Sequence, residues 1–294
     1  MRILPGQSDG RRFYQLLTSS VGPRPIALAS TVDETGQSNL SPFSFFNCFG
    51  SNPPLLVFSP LRRTRNNTTK HTLENVRQHA EVVINVVNYA MVHQCSLASC
   101  EYPQGVDEFL KAGFTPETSE MVRPLRVKES PVSFECRVIQ VIETGSSGGA
   151  GHLICCEILL MHVADGLLDA EGRIDPHRID LVGRMGANHY CRASGTAIFQ
   201  IPKPTTELGI GFDQLPSSVR NSTVLSGNDL GRLASVTEIP PVDPAFDAPR
   251  LTDILQYFAG IPDEMETELH RYAKDLLEED RTADAWQVLL AAVG

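Results

Sequence analysis

The sequence has no long apolar run, no secretion signal and no cysteine pair of the CxxC type. Nowhere does it approach the roughly 20 consecutive apolar residues that a helix needs to cross a bilayer, and its N-terminal segment lacks the apolar core of a signal peptide. The cysteines number seven, and an odd number without CxxC spacing favours neither a disulfide framework nor a structural zinc site. We therefore expect a cytoplasmic protein without a membrane partner or a bound metal.

Positive charge is scarce as well. The chain has 25 Lys and Arg residues against 35 Asp and Glu residues, which gives a formal net charge of −10. Binding along a nucleic-acid backbone needs a large basic surface, and an acidic chain does not supply one. The same excess of acid disfavours an anionic membrane surface. Apolar residues at 41% and charged residues at 20% are typical of a globular protein.

The charge is distributed unevenly along the chain. Residues 241–294 hold 12 acidic and 4 basic residues, a net charge of −8. Residues 35–73, which we call the acid-free segment, contain no Asp or Glu at all. The cations of this segment cluster near its end: Arg62, Arg63, Arg65 and Lys70. The sequence therefore combines a nearly neutral body that has one local basic cluster with an acidic C-terminal part.

Strand-like runs dominate the first two thirds of the chain, each rich in Val, Ile, Phe or Leu and bounded by Gly, Pro, Asn or Asp. Short helices lie between them without a strict alternation of strand and long helix, so we do not expect a doubly wound parallel sheet. We predict a mainly β fold with helical decorations, in which Thr72 caps one helix. The predicted strands are 25–32, 55–59, 82–89, 132–142 and 153–163, and the predicted helices are 72–80, 90–99 and 107–112.

The character of the sequence changes after Arg192. Prolines punctuate a long connection, and two amphipathic helices follow it. We predict a domain of residues 1–204 and a Pro-punctuated linker with an acidic helical extension over residues 205–294. The two helices are expected to need another surface, either the first domain or a partner subunit. Their apolar stripes are Met265, Leu269, Tyr272, Leu276 and Leu277, then Ala283, Trp286, Leu289, Leu290 and Val293.

The acid-free segment contains two motifs that suggest a ligand. Residues 41–48, the aromatic segment, mix hydroxyls, an amide and three Phe residues, which suits flat apolar contact with a planar ring. The alternative is a sheet edge with buried Phe, and the aromatic segment taken alone favours this alternative over a ligand site.

Residues 62–72, the basic segment, crowd Arg, Lys, Asn and Thr before a helix start, where phosphate binds readily. The alternative is a solvated basic loop. Taken together, the two segments favour a site for one phosphorylated planar cofactor.

These residues resemble the flavin reductase-like, FMN-binding split-barrel family. The resemblance rests on RPIA (24–27), ST (30–31), Gly36, Asn39, SPFSFFN (41–47) and PP (53–54), and on TKHTL (69–73) followed by residues 82–86. It covers roughly residues 22–192 and implies a six-stranded antiparallel split β-barrel, with the C-terminal helical extension as a departure from short relatives. It further implies a homodimer that binds FMN, with FAD as the alternative flavin, and that uses NADH or NADPH, often to supply a partner oxygenase.

The resemblance also implies which residues contact the cofactor. Four would meet the isoalloxazine ring and the ribityl chain, partly through backbone: Ser44, Phe45, Asn47 and Cys48. Two at a strand end would lie along the ribityl chain or the phosphate: Ser59 and Pro60. Four would hold the phosphate: Arg65, Lys70, His71 and Thr72.

A late motif, GRMGANHYCR (183–192), is similar to the family segment near the nicotinamide side. Its candidates are Arg184, Asn188 and His189, although a hydrogen-bonded interface histidine explains His189 equally well. The sequence suggests no acid–base pair, and in a flavoprotein the cofactor itself accepts the hydride. We therefore assign no catalytic residue.

Two functions remain open from the sequence, besides a third option, the binding of pyridoxal phosphate or haem by a split barrel, for which the sequence shows neither a decisive Lys/Arg pattern nor an obvious axial histidine. The first is a flavin-dependent oxidoreductase, an NAD(P)H:FMN reductase that supplies or uses reduced flavin. The second is a non-catalytic FMN-binding module whose acidic tail recruits a partner protein.

Overall fold

The computed structural model describes residues 2–7, 9–201 and 207–291. It divides into two compact units, Met1–Phe199 and Gln200–Gly294. The strands, all in the first unit, are β1 (Ala27–Val32), β2 (Ser38–Phe43), β3 (Phe46–Ser51), β4 (Pro54–Phe58), β5 (Glu81–Val86), β6 (Pro116–Glu117), β7 (Arg126–Val127), β8 (Val132–Glu143), β9 (His152–Val163), β10 (Val182–Arg184) and β11 (Tyr190–Arg192).

Helices accompany the strands of the first unit and form the second. Short 3-10 turns also occur at Pro5–Gln7, Tyr89–Met91, Gly195–Ala197 and Phe212–Gln214. The helices of the first unit are α1 (Gly10–Ser20), α2 (His71–His79), α3 (Val92–Leu97) and α4 (Glu108–Ala112). Those of the second unit are α5 (Ser217–Arg220), α6 (Gly227–Leu233), α7 (Pro249–Tyr257), α8 (Pro262–Glu278) and α9 (Thr282–Leu290).

The main sheet of the described chain has seven strands in the order β2-β1-β5-β8-β9-β4-β3, and each pair of neighbours is antiparallel. The prediction of a mainly β protein with helices and a C-terminal helical region is confirmed. The number of strands exceeds the six that the resemblance implies. Two bend residues, Ser44 and Phe45, interrupt one run of chain and separate it into β2 and β3.

The sheet curls so that one edge approaches the other. Strands β2 and β3 are consecutive in the chain but lie at opposite ends of the strand order. The Phe43 ring of β2 lies 5.2 Å, centroid to centroid, from the Phe58 ring of β4, the strand next to the far edge. Helix α2 adds Leu73 and Val76 to the same buried cluster. The start of α2 and the bend between the edge strands are therefore anchored on one core.

The aromatic segment forms the two sheet edges that the sequence allowed. Phe43 is buried, whereas β3 exposes Asn47, Cys48 and Phe49. Half-exposed strands of this kind lack the continuous apolar pattern by which buried strands are recognised. For this reason the sequence predicts the central strands closely and leaves β3 without a prediction.

The second unit has a hydrophobic core of its own. Leu269 and Leu276 of α8 and Trp286 of α9 are buried in it, together with residues of α5, α6 and α7. The predicted long connection is therefore wrong over 217–257, because short helices form there and contribute to this core. The prediction that the apolar stripes of the last two helices need another surface is also wrong, because the stripes of α8 and α9 pack into this core together. Ala283 is exposed, and Val293 lies outside the described residues.

The described helices include none that combines the length and the apolar character needed to cross a membrane.

Candidate functional site

The basic segment is folded by its own side chains. Arg62 Nε donates to Asn67 Oδ1 at 2.8 Å, and an Arg63 guanidinium nitrogen donates to Thr68 Oγ1 at 3.0 Å. Asn67 has a φ of 54°, in the left-handed region that Asn tolerates better than most residues. Some of the amides and hydroxyls that the sequence suggested as ligand donors therefore shape the loop instead.

Helix α2 begins at His71, with Lys70 as its N-cap residue and no side chain capping its first turn. The prediction that Thr72 caps this helix is wrong. Thr72 is buried, and its Oγ1 donates to Asn39 Oδ1 of β2 at 2.9 Å, so it points into the protein. The first N–H groups, those of His71 and Thr72, have no hydrogen-bond partner among the described residues. Free N–H groups at the positive end of a helix dipole favour an anion.

The start of α2 lines a pocket of about 350 Å³, which we call the basic pocket. It lies between α2, β2 and the chain that follows α3. Its polar lining includes Asn39, Ser41, Arg63, Lys70, His71 and Ser99. Lys70, His71 and Thr72 all line this pocket, and their contact with a phosphate stays a prediction.

Lys70 is a half-buried cation of the basic pocket. Its Nζ lies 5.1 Å from the centroid of the Phe43 ring, and this ammonium group makes no ion pair or hydrogen bond within the described ranges. Burial lowers the pKa of Lys70 below the ordinary 10.5, Arg63 lowers it further, and Glu101 opposes both. An anion bound in the pocket would stabilise this cation.

The wall of the basic pocket is held by a buried hydrogen-bond network. Glu108 of α4 accepts from Asn39 Nδ2 at 3.0 Å and from Leu40 N at 3.1 Å, and Asn39 in turn accepts from Thr72. Burial raises the pKa of Glu108, although these hydrogen bonds and nearby His71 oppose the shift. The network fixes α2 and α4 against β2, and Thr72 therefore positions the pocket rather than offering its hydroxyl to it.

Arg63, not Arg65, lines the basic pocket. The Arg65 side chain is 79% exposed and pairs with Glu101 at 2.9 Å. The Arg63 side chain is 17% exposed, and its Nε lies 3.4 Å from Glu101 Oε1. The sequence did not single out as ligands four of the hydrogen-bonding residues at the site: Arg24, Asn39, Arg63 and Glu108. Arg24 and Asn39 do stand in the resembling motifs, and Arg63 stands in the basic segment.

The ring candidates lie around the bend between β2 and β3. Ser44 and Phe45 form the bend, and Phe45 O accepts from Ser59 N at 2.8 Å, which ties the bend to the end of β4. Asn47 and Cys48 are exposed on β3, where Asn47 Oδ1 accepts from Cys48 N at 2.8 Å. These residues offer an accessible strip of backbone and side chain at the edge of the sheet.

Ser59 and Pro60 follow β4 and are buried. Pro60 O accepts from His152 N at 3.1 Å. A Cβ placed on Gly151 would lie 2.8 Å from Ser59 Oγ, so a larger residue there would require this hydroxyl to move. The strand end is thus held from β9, between the bend and the basic segment.

The late motif forms the β10–β11 hairpin, and Arg24 connects it to the bend. The backbones of Arg24 and Arg184 exchange two hydrogen bonds, at 2.9 and 2.8 Å. The buried Arg24 guanidinium donates to Met185 O at 2.5 Å and lies 5.9 Å from the Phe45 ring centroid. Asn188 and His189 are exposed in the hairpin turn, where His189 Nδ1 lies 3.3 Å from Gly186 O. The turn and the ring candidates therefore share Arg24 as a support.

Residues 20–177 match the family model of the flavin reductase like domain. The chain belongs to this family, and the resemblance seen in the sequence is confirmed. The match lies within the first unit and ends before the late motif, so Arg184, Asn188 and His189 fall outside it.

Individual relatives agree with this assignment. An uncharacterized protein of Aquifex aeolicus is 37% identical over 195 residues, which are 66% of this chain and 97% of that protein. Nitrilotriacetate monooxygenase component B from Bacillus cereus is 28% identical with a TM-score of 0.64 and covers 68% of this chain and 98% of its own. The 2-nitrobenzoate 2-nitroreductase of Pseudomonas fluorescens is also 28% identical, with a TM-score of 0.60 over 74% of this chain and 99% of its own.

Proposed function

We propose that this protein is an FMN-dependent oxidoreductase, an NAD(P)H:flavin reductase whose first domain, residues 1–204, binds the flavin. The observation that carries the proposal is the basic pocket. It combines Lys70, Arg63 and the uncapped start of α2 in a chain that belongs to the flavin reductase-like family.

The donors of the basic pocket fit a phosphate group. The N–H groups of His71 and Thr72 lie at the positive end of a nine-residue helix, which is a favourable position for a dianion. Lys70 supplies a charge that forms no ion pair among the described residues, and Arg63 supplies a second charge. Charge-assisted hydrogen bonds of this kind are stronger than neutral ones. Arg65 would join them only by turning away from Glu101.

The bend between β2 and β3 is the proposed site of the isoalloxazine ring. Ser44, Phe45, Asn47 and Cys48 would contact the ring and the ribityl chain, and Ser59 and Pro60 would lie along the ribityl chain. Bound FMN would accept a hydride from NADH or NADPH. The chain itself would bind and orient the two molecules, with Arg24 holding the bend against the late turn. Arg184, Asn188 and His189 are the proposed contacts on the nicotinamide side.

The wider assignment follows from the same proposal. We infer a cytoplasmic homodimer that uses FMN in preference to FAD and passes reduced flavin to a partner oxygenase. The likeness to a protein described as a monooxygenase component supports such a partner. The acidic extension, residues 205–294, has no assigned part in the reaction.

Anaerobic mixing tests the reaction directly. Protein and FMN are mixed with NADH and, separately, with NADPH, and the visible absorbance of oxidised flavin is followed by stopped flow. We expect bleaching well above the protein-free rate with at least one nicotinamide. A protein that binds FMN but bleaches it only at the background rate with both would instead be the non-catalytic flavin-binding module.

A further inference from the structure

The basic pocket contains a carboxylate that belongs to the chain itself. Glu101 follows α3 and lines the pocket together with Arg63 and Lys70. One of its oxygens lies 2.9 Å from an Arg65 guanidinium nitrogen, and the other lies 3.4 Å from Arg63 Nε. The guanidinium groups of Arg63 and Arg65 are therefore already paired with an anion.

Glu101 differs from the second carboxylate of the pocket lining. Glu108 is buried, and both of its oxygens accept hydrogen bonds from β2, so it belongs to the pocket wall. Glu101 is half exposed, with a side-chain exposure of 50%, and it lies in a segment without helix or strand. Its only hydrogen bond among the described residues is the one from Arg65. This carboxylate is thus free to leave the two arginines at small cost.

We propose that Glu101 is an internal competitor for the flavin phosphate. It pairs with Arg63 and Arg65 in the free chain, and the phosphate of FMN must displace it or bind beside it. The inference rests on the proposed function, because it assigns the basic pocket to a phosphate. Like charges brought together in one pocket repel each other. An arginine that is already paired with Glu101 also attracts a second anion less strongly. The consequence is weaker binding and faster release of FMN.

This competition affects only ligands that carry a phosphate. Riboflavin has the same ring and ribityl chain but no charge at the end, so Glu101 neither repels it nor competes with it. The side chain would therefore keep FMN exchangeable, as suits a flavin that is released to a partner rather than held permanently. Glu101 is a specificity-determining residue in this description, with no part in the hydride step.

The test compares Glu101→Gln with Glu157→Gln. The control removes the same charge from an Arg–Glu pair between β8 and β9, where Glu157 of β9 lies 2.6 Å from Arg137 of β8 and outside the basic pocket. Dissociation constants for FMN and riboflavin are measured by quenching of flavin fluorescence, and FMN release is measured by stopped flow. Glu101→Gln should lower the dissociation constant for FMN by about fivefold, chiefly through slower release. The dissociation constant for riboflavin should stay unchanged. Glu157→Gln should change neither ligand.

The outcomes separate this inference from the proposed function. If the wild-type chain binds riboflavin as tightly as FMN, the assignment of the basic pocket to a phosphate is contradicted, and with it the proposed function. A wild-type preference for FMN that Glu101→Gln leaves unchanged or weakens would overturn the role of Glu101 alone. Glu101→Ala provides a second variant that must change FMN binding in the same direction, and unchanged riboflavin binding shows that each variant is folded.

Discussion

At the scale of single residues, Lys70 links the sequence most directly to the proposed chemistry. It stands immediately before α2, its ammonium lies against the Phe43 ring, and burial lowers its pKa. A cation in such a place stays charged only at a cost in free energy, and a bound dianion offsets this cost. Phosphate binding and protonation of Lys70 are therefore coupled.

This coupling predicts a pH dependence. In the free chain burial lowers the pKa of Lys70 below 10.5, and the charged form is lost as pH rises through that lowered pKa. A bound phosphate favours the charged form, and FMN affinity should therefore fall over the same alkaline range. Riboflavin shares the ring but lacks the phosphate, so the ratio of the two dissociation constants isolates the effect.

Lys70→Arg is the matched variant for this measurement. Arginine stays protonated throughout the range, so the ratio of FMN to riboflavin affinity should become flat between about pH 7 and pH 10. An identical decline in wild type and Lys70→Arg would assign the titration to another group.

Residues of the basic segment also show where sequence reasoning ends. The placement of Lys70 and His71 at a helix start follows from the pattern of Thr, Lys and the apolar positions beyond. The choice between Arg63 and Arg65 does not, because it depends on hydrogen bonds that turn the loop, such as that from Arg63 to Thr68. Thr72 has the residue type of a cap, but β2 supplies a stronger competitor in Asn39.

At the scale of elements, α1 packs closely on the late turn. A Cβ on Gly186 would lie 2.0 Å from Ser19 Oγ and 3.0 Å from Ser19 Cα, so glycine is required for the contact. The same turn accepts a hydrogen bond from Arg24 through Met185 O. The position of α1, the turn and the bend at Phe45 therefore depend on one another.

Gly186→Ala should separate these elements. Overpacking of this kind costs about 1–3 kcal/mol, and the exchange protection of the Arg24 and Arg184 amides should fall by about tenfold or more. Hydrogen–deuterium exchange followed by mass spectrometry measures this. Gly10→Ala, at the start of the same helix and with no atom within 4 Å of the added Cβ, should leave protection unchanged. Equal protection in both variants would contradict the packing described here.

The elements also differ in how well the sequence predicts them. The runs predicted as 132–142 and 153–163 correspond to Val132–Glu143 and His152–Val163, since these long strands carry many β-branched and apolar residues. The edge strand β3 carries no such apolar run, and the helices α5–α7 are short. Their stability comes from the tertiary core that they join, which a local pattern does not reveal.

At the scale of the whole molecule, the net charge of −10 separates into two parts. The acidic C-terminal residues belong to a helical unit with its own core around Trp286. The acid-free segment, residues 35–73, runs from the turn before β2 through β3 and β4 to the start of α2. It contains both the proposed ring site and the cations of the basic pocket, Arg63 and Lys70, so the absence of acid there matches a site for an anion.

Equilibrium titration of the full chain with FMN and with riboflavin tests the central claim most directly. We predict micromolar or tighter binding of FMN, weaker binding of riboflavin, and loss of this preference in Lys70→Ala. The variant should weaken FMN binding by roughly tenfold or more, while riboflavin binding stays unchanged. A wild-type protein that takes up no FMN, or a Lys70→Ala variant that weakens both flavins equally, would contradict the assignment of the basic pocket to the flavin phosphate.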